Sequence, residues 1–132
     1  MEPRTHLAAD PAYCGRVLAL ADGSAEVALD TSDTMVVDTA GLVHGGFVFG
    51  LADYAAMLAV NDPNVVLGGA ETRFLKPVQL GDRVVARAEM VSTEGRKHQV
   101  RVEAAVGAKT VFVGTFTCYV LEQHVLDGER SS

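Results

Sequence analysis

The 132-residue chain contains no tryptophan and only 6% aromatic residues, which weakens any function built on stacking nucleic-acid bases against aromatic platforms. Basic residues are also scarce. Eleven Lys and Arg against seventeen Asp and Glu leave a formal net charge of −6, a balance that argues against non-specific binding to nucleic acid or to an anionic membrane. The two cysteines, Cys14 and Cys118, are too far apart for a disulfide framework or a spaced metal site, and both are expected to be buried thiols. Long hydrophobic runs are missing as well: the longest, fourteen residues from Phe47 to Val60, is interrupted by Asp53, and about twenty are needed to span a bilayer. Met1 to Pro11 contains Glu2, Arg4, His6 and Asp10, so no signal peptide is expected. His6, His98 and His124 show no metal spacing with carboxylates or thiols, so neither a metal site nor a cofactor is expected. These absences describe a soluble, reduced, cytoplasmic protein without a membrane or nucleic-acid partner.

What is present suffices for one core. At 13.9 kDa and 48% hydrophobic residues, the chain has the size of a single domain covering 1–132. Alternation with period two marks strands: Ala86, Ala88 and Met90 against Arg87 and Glu89; Val100, Val102, Ala104 and Val106 against Gln99, Arg101 and Glu103; then Phe112, Gly114, Phe116, Cys118 and Val120. Short turn-like connections, Thr93 to Arg96 and Gly107 to Lys109, predict an antiparallel meander with one polar face. Val17 to Ala21 and Ala25 to Leu29 flank Asp22-Gly23-Ser24, a hairpin signal. From Gly45 to Val60 alternation disappears and apolar residues occupy every side of a helical wheel, the pattern of a buried helix. Its small Ala52, Ala55, Ala56 and Ala59 would let a sheet approach closely, and Asn61-Asp62-Pro63-Asn64 stops it. Val65 to Leu75 is a further strand, weakened by Gly68-Gly69. The order β-β-α-β-β-β-β predicts an α+β sheet wrapped around a central helix, with a frayed tail over 123–132.

Two features of the run Gly41 to Asp53 carry chemistry. Gly45 and Gly46 at a helix start would leave backbone N–H groups open to an anion or a developing oxyanion, where one donor is worth about 3 kcal/mol of barrier; the alternative is a tight turn or close packing. Asp53 is the only ionisable group in its apolar stretch, so it must be paired, protonated or facing a wet cavity. It is either a general base or water-orienting group, or a carboxylate that pins the helix to a loop. His44 and Asp53 are nine residues apart, about 13 Å along a helix, too far to share one catalytic atom within a chain. If both serve one site, that site is assembled between two subunits of a homodimer.

The run His44-Gly45-Gly46 with Leu51-Ala52-Asp53, followed by Arg73-Phe74-Leu75-Lys76-Pro77 and Gly81-Asp82, resembles the hotdog-fold acyl-CoA thioesterases of the phenylacetate-pathway (PaaI-like) type, over about Val36 to Leu121. The resemblance implies an antiparallel β-sheet wrapped around a long central helix, assembly into homodimers and dimers of dimers, and hydrolysis of an acyl-CoA thioester at the dimer interface. The N–H of Gly45 would polarise the thioester carbonyl, with His44 and Gly46 shaping the turn. Asp53 of the facing subunit would activate water or attack the carbonyl, and coenzyme A thiolate would leave. Two positions depart from the family pattern. Where many relatives carry an Asn six residues before the His, this chain has Asp38, a second carboxylate able to raise a neighbour's pKa or repel an anionic acyl group. Where some place a Ser or Thr facing the catalytic Asp, Leu67 to Gly69 offer no hydroxyl, and Glu71 is the nearest polar candidate.

Phe47, Phe49 and Met57 are candidates for core or acyl-pocket lining, and Val48, Leu51 and Tyr54 would influence pocket length. Among the basic residues, Lys76 and Arg83 are candidates for coenzyme A phosphate contacts, as are Arg73, Arg87, Arg96 and Lys97, although an ordinary solvated sheet face accounts for most of these. The segment Arg73 to Val84 also resembles the malonyl-CoA-binding effector domain of a fatty-acid-synthesis repressor, which defines a non-catalytic alternative. Against it stand the chain's length, expected to leave no room for a DNA-binding domain, and the helix Asp, which that regulator class lacks. An enoyl-CoA hydratase of the same fold would need an Asp/His pattern absent here.

Overall fold

Alternation in the second half of the chain becomes three long strands, β4 (Arg83–Glu94), β5 (Lys97–Val106) and β6 (Lys109–Val120), paired antiparallel in sequence order. In the computed structural model, which describes residues 1–130, they form the middle of a six-stranded sheet of order β1-β2-β4-β5-β6-β3. The opening hairpin, β1 (Arg16–Ala21) and β2 (Ser24–Asp30), adds to β4. Its two-residue turn is Asp22-Gly23, with Gly23 at φ 80°, a left-handed conformation that glycine adopts without strain. At the opposite edge, β3 (Val65–Phe74) pairs only with β6, through a bulge between Leu67 and Gly69.

Helix α2 spans Gly45–Val60, the predicted bounds. Val48, Leu51, Ala52, Ala55, Ala56, Met57, Leu58 and Ala59 are all buried in it. One side lies on β2, β4 and β5, against the inward rows Val27 and Leu29, Ala86 and Ala88, and Val100, Val102 and Ala104. Full burial of a leucine such as Leu51 contributes about 1.5–3 kcal/mol. The outward rows carry Glu26, Arg87, Glu89, Arg101 and Glu103, with ion pairs Arg87–Glu26 at 3.5 Å and Arg101–Glu103 at 3.1 Å. These pairs are largely exposed and contribute little to stability.

The first fifteen residues are more structured than their sequence indicates. A short helix, α1 (Pro11–Cys14), is started by Pro11 and by the Asp10 carboxylate, which accepts from the Ala12 N–H at 2.9 Å. It packs on α2, bringing the Tyr13 ring 5.9 Å from that of Phe47. Four residues are too few to show a helical period, which is why the sequence pattern is silent there. Cys118 is buried as expected, whereas Cys14 is only half-buried. The chain end also differs from expectation. Rather than fraying throughout, the tail forms α3 (Val125–Arg130), where the Leu126 N–H donates to His124 Nδ1 at 3.1 Å; residues 131–132 lie outside the described residues. No helix among the described residues is long and apolar enough to cross a membrane.

Candidate active site

The start of α2 is built by its own side chains. His44 is the N-cap: its Nδ1 accepts from the Gly46 N–H at 2.7 Å, its carbonyl accepts from the Phe47 N–H at 3.1 Å, and its N–H donates to Met35 O at 2.9 Å. Gly46 therefore has a structural reason, because a Cβ there would lie 2.7 Å from His44 Nδ1 and displace the cap. The cap also occupies the Gly46 N–H, which leaves Gly45 as the open donor of the pair. The N–H of Gly45 meets no acceptor among the described residues, as befits the first position of a helix. Gly45 lines a groove of about 350 Å³ whose walls include Leu42, Val48, Phe74, Lys76 and Val111. A Cβ on Gly45 would come within 3.2 Å of the Phe74 ring.

Asp53 lies two turns further along, half-buried, with Oδ1 shielded from solvent and without a hydrogen-bond partner. Burial pushes its pKa up, and the imidazole of His6 opposes that shift. The charge of Asp53 acts in turn on two thiols: burial and then Asp53 push Cys118 up to about 12, and Cys14 is raised by burial, Asp10 and Asp53. The structure thus places a carboxyl of raised basicity on one face of the helix and a free N–H donor at its end. Asp53 follows Gly45 by eight positions, so about 12 Å of helix separates them.

The remaining predicted residues divide. Lys76 joins Gly45 at the groove. Phe47 packs against Tyr13 and, edge-on, against His44, with ring centroids 5.9 and 6.1 Å away. Phe49 is half-buried and packs against the core, its ring 5.5 Å from that of Phe116, while Met57 is fully buried in it. Asp38 is committed locally: its Oδ1 accepts from the N–H groups of Ala40 and Leu42 at 3.0 and 3.1 Å, pinning the turn before the helix, and it is not among the charges acting on Asp53. Arg83, the first residue of β4, is exposed beside Asp30, 3.8 Å away. Glu71 is exposed on β3 beside Arg73 and Arg101, away from Gly45 and Asp53. Among the described residues, no three His, Cys, Asp or Glu cluster as metal ligands would. His6 was missed by sequence reasoning, since it precedes Asp53 by 47 residues and shares no motif with it.

The thioesterase superfamily model matches residues 40–110, more than half of the chain and all of α2 with Gly45 and Asp53. The chain belongs to the thioesterase superfamily. Superfamily membership agrees with the hotdog arrangement of one helix inside an antiparallel sheet. An uncharacterized protein of Pyrococcus horikoshii shares 54% identity and superposes with a TM-score of 0.95 over 96% of this chain and 98% of that one. A mutant form of the phenylacetic acid degradation protein PaaI of Thermus thermophilus shares 36% identity, with a TM-score of 0.77 over 85% and 100% of the two chains. Among curated proteins, methylthioribose-1-phosphate isomerase of Aquifex aeolicus is 46% identical over 98% of this chain, and transcription factor FapR of Caldanaerobacter subterraneus is 34% identical over 73% of it. The thioesterase-like chain spans only 28% and 48% of the lengths of those two relatives.

Proposed function

We propose that the chain is one half of an acyl-CoA thioesterase of the phenylacetate-pathway type, active as a homodimer with two equivalent interface sites. The observation that carries this reading is the unpartnered, buried Oδ1 of Asp53 on the same helix as an unpartnered Gly45 N–H, about 12 Å apart. Neither group can reach the other's substrate atom within one chain, and a second copy related by two-fold symmetry would bring each opposite its counterpart. Asp53 takes a proton from water as the water attacks the thioester carbonyl. The Gly45 N–H of the other subunit holds the oxyanion, and coenzyme A leaves as thiolate. Burial raises the pKa of Asp53, which makes its carboxylate a better proton acceptor, as the general-base role requires. Lys76 at the mouth of the groove supplies positive charge for a phosphate of coenzyme A.

The test is turnover of an acyl-CoA panel by wild type and by two variants. Asp53→Asn removes the base. Gly45→Pro removes the donor and spares the helix, since proline is accepted at the first helical position and His44, at φ −61° and ψ 130°, already has the conformation required before it. Each change should lower kcat by about 10²–10³-fold or more. Mixed and re-associated, the two inactive variants should recover up to about a quarter of wild-type activity, because half of the dimers then carry one intact site. Absence of recovery would place both groups in separate or single-chain sites. The 34% identity to a FapR transcription factor supports the second reading, a non-catalytic acyl-CoA or malonyl-CoA-binding module. A wild type that binds these ligands and hydrolyses none would establish it.

A further inference from the structure

Glycine inside a helix needs a reason, because its backbone freedom weakens the helix relative to alanine. Besides Gly50, α2 holds Gly45 and Gly46, and both of these have their reason within the chain. A Cβ on Gly46 would lie 2.7 Å from His44 Nδ1, and one on Gly45 would crowd the Phe74 ring at 3.2 Å. Gly50 has no such neighbour. It is half-buried, and a Cβ there would meet nothing within 4 Å. The space kept open at Gly50 is therefore of no use to the isolated chain, and what fills it comes from outside.

The surroundings of that space identify its occupant. Phe47 and Tyr54 stand three positions before Gly50 and four after it, on the same face of the helix, and both are half-buried. They give the space apolar borders. Asp53 stands three positions after Gly50, about 4.5 Å along the axis, with an Oδ1 that has no hydrogen-bond partner. In the proposed dimer the thioester carbonyl lies between Asp53 of one subunit and the Gly45 N–H of the other, and its two substituents leave it in different directions. The groove that Gly45 lines also carries Lys76, the cation proposed for a coenzyme A phosphate, so the sulfur arm follows the Gly45 subunit. The acyl arm then runs over α2 of the Asp53 subunit, where Gly50 provides the open space.

We propose that Gly50 is a specificity-determining residue: it makes room beside Asp53 for acyl groups that are bulky close to the thioester carbonyl, with a branch or ring within their first few carbons. The assignment rests on the thioesterase reading. The rise from Gly50 to Asp53 is spanned by about three carbon–carbon bonds of ~1.5 Å, so Gly50 senses the beginning of the acyl group and not the length of its tail. Phe47 and Tyr54 offer that bulk an apolar contact, and the substrate class is a short, uncharged, branched or cyclic acyl-CoA.

The test compares kcat/KM for isovaleryl-CoA, which is branched near the carbonyl, with that for acetyl-CoA in wild type, Gly50→Ala and Gly50→Leu. Hexanoyl-CoA, longer but unbranched, separates bulk from length. Wild type should prefer isovaleryl-CoA to acetyl-CoA. The ratio of the two should fall about tenfold or more in Gly50→Ala, as one methyl group in an apolar pocket discriminates by about that much, and further in Gly50→Leu. The hexanoyl-to-acetyl ratio should fall less than the isovaleryl-to-acetyl ratio in both. Thermal melts by circular dichroism control for folding, with Gly50→Ala expected to melt no lower than wild type. A wild type that prefers acetyl-CoA, or isovaleryl-to-acetyl ratios within about twofold of wild type in both variants, would overturn the assignment while leaving the thioesterase reading in place. A wild type that hydrolyses none of the three esters would overturn both. A loss of dimer mass by light scattering in either variant would give the space to the partner's α2 and overturn the acyl assignment as well.

Discussion

Asp53 makes stability depend on pH in the opposite sense to an ordinary paired carboxylate. Burial raises its pKa in the folded chain, so between the ordinary aspartate value and the raised one the folded state holds a proton that the unfolded state has released. Stability is then greatest below that window and falls as pH rises through it. Asp53→Asn removes the dependence. At neutral pH the variant should melt above wild type, and the gap should close as the solution is brought below about pH 4, where the unfolded carboxyl is protonated too. Paired thermal melts across buffers check this; a gap that is constant with pH would assign the penalty to something other than ionisation. Much of this residue's character was legible in the sequence, because a single charge in fourteen apolar residues must be exceptional wherever it points. Its environment was not legible. The groups whose charge influences it or responds to it, His6, Cys14 and Cys118, come from the N-terminal segment, α1 and β6, and no local spacing encodes such an arrangement. The same limit applies to Asp38, whose residue type suggested a second site carboxylate and whose hydrogen bonds to Ala40 and Leu42 give it a turn to hold.

Helix α2 responds to added methyl groups with opposite signs along its length. Ala55 is fully buried among larger side chains, and Ala55→Leu should cost about 1–3 kcal/mol by overpacking. Gly50 is half-buried, and a Cβ there would meet nothing within 4 Å, so Gly50→Ala should add about 0.5–1 kcal/mol by restricting the unfolded chain and favouring the helix. Urea unfolding monitored by circular dichroism measures both; equal destabilisation would mean that the outer face of α2 is as tightly covered as its inner one. Elements of this length announce themselves, since sixteen residues without alternation and ten to twelve with it exceed what chance produces. The short α1 and α3 have no room for a period. The β3 bulge between Leu67 and Gly69 is visible in sequence only as two glycines that weaken a strand, and its purpose becomes clear once Tyr119 is seen 2.3 Å from where a Gly68 Cβ would sit.

For the molecule as a whole, what a single chain leaves uncovered is informative. Phe74, Leu75 and Leu42 are 56%, 46% and 41% exposed around the groove that Gly45 enters, and the ten-residue β3 offers one unpaired edge beside them. A long unpaired edge is a template for another strand. A second copy pairing there would continue the sheet, cover apolar surface and bring a second α2 alongside the first. In such a dimer the 48% hydrophobic composition would serve an interface and the proposed acyl pocket as well as a core. Gly69 is the place to test this, because it is exposed on that edge and a Cβ there would touch nothing in its own chain. Gly69→Lys should leave the isolated fold intact by circular dichroism while its charge blocks edge-to-edge pairing. Light scattering should report a protomer of about half the wild-type mass, and acyl-CoA hydrolysis should be lost although Asp53 and Gly45 are untouched. A Gly69→Lys chain that stays dimeric would move the interface away from β3, and one that is monomeric yet fully active would show that the two groups need no partner subunit.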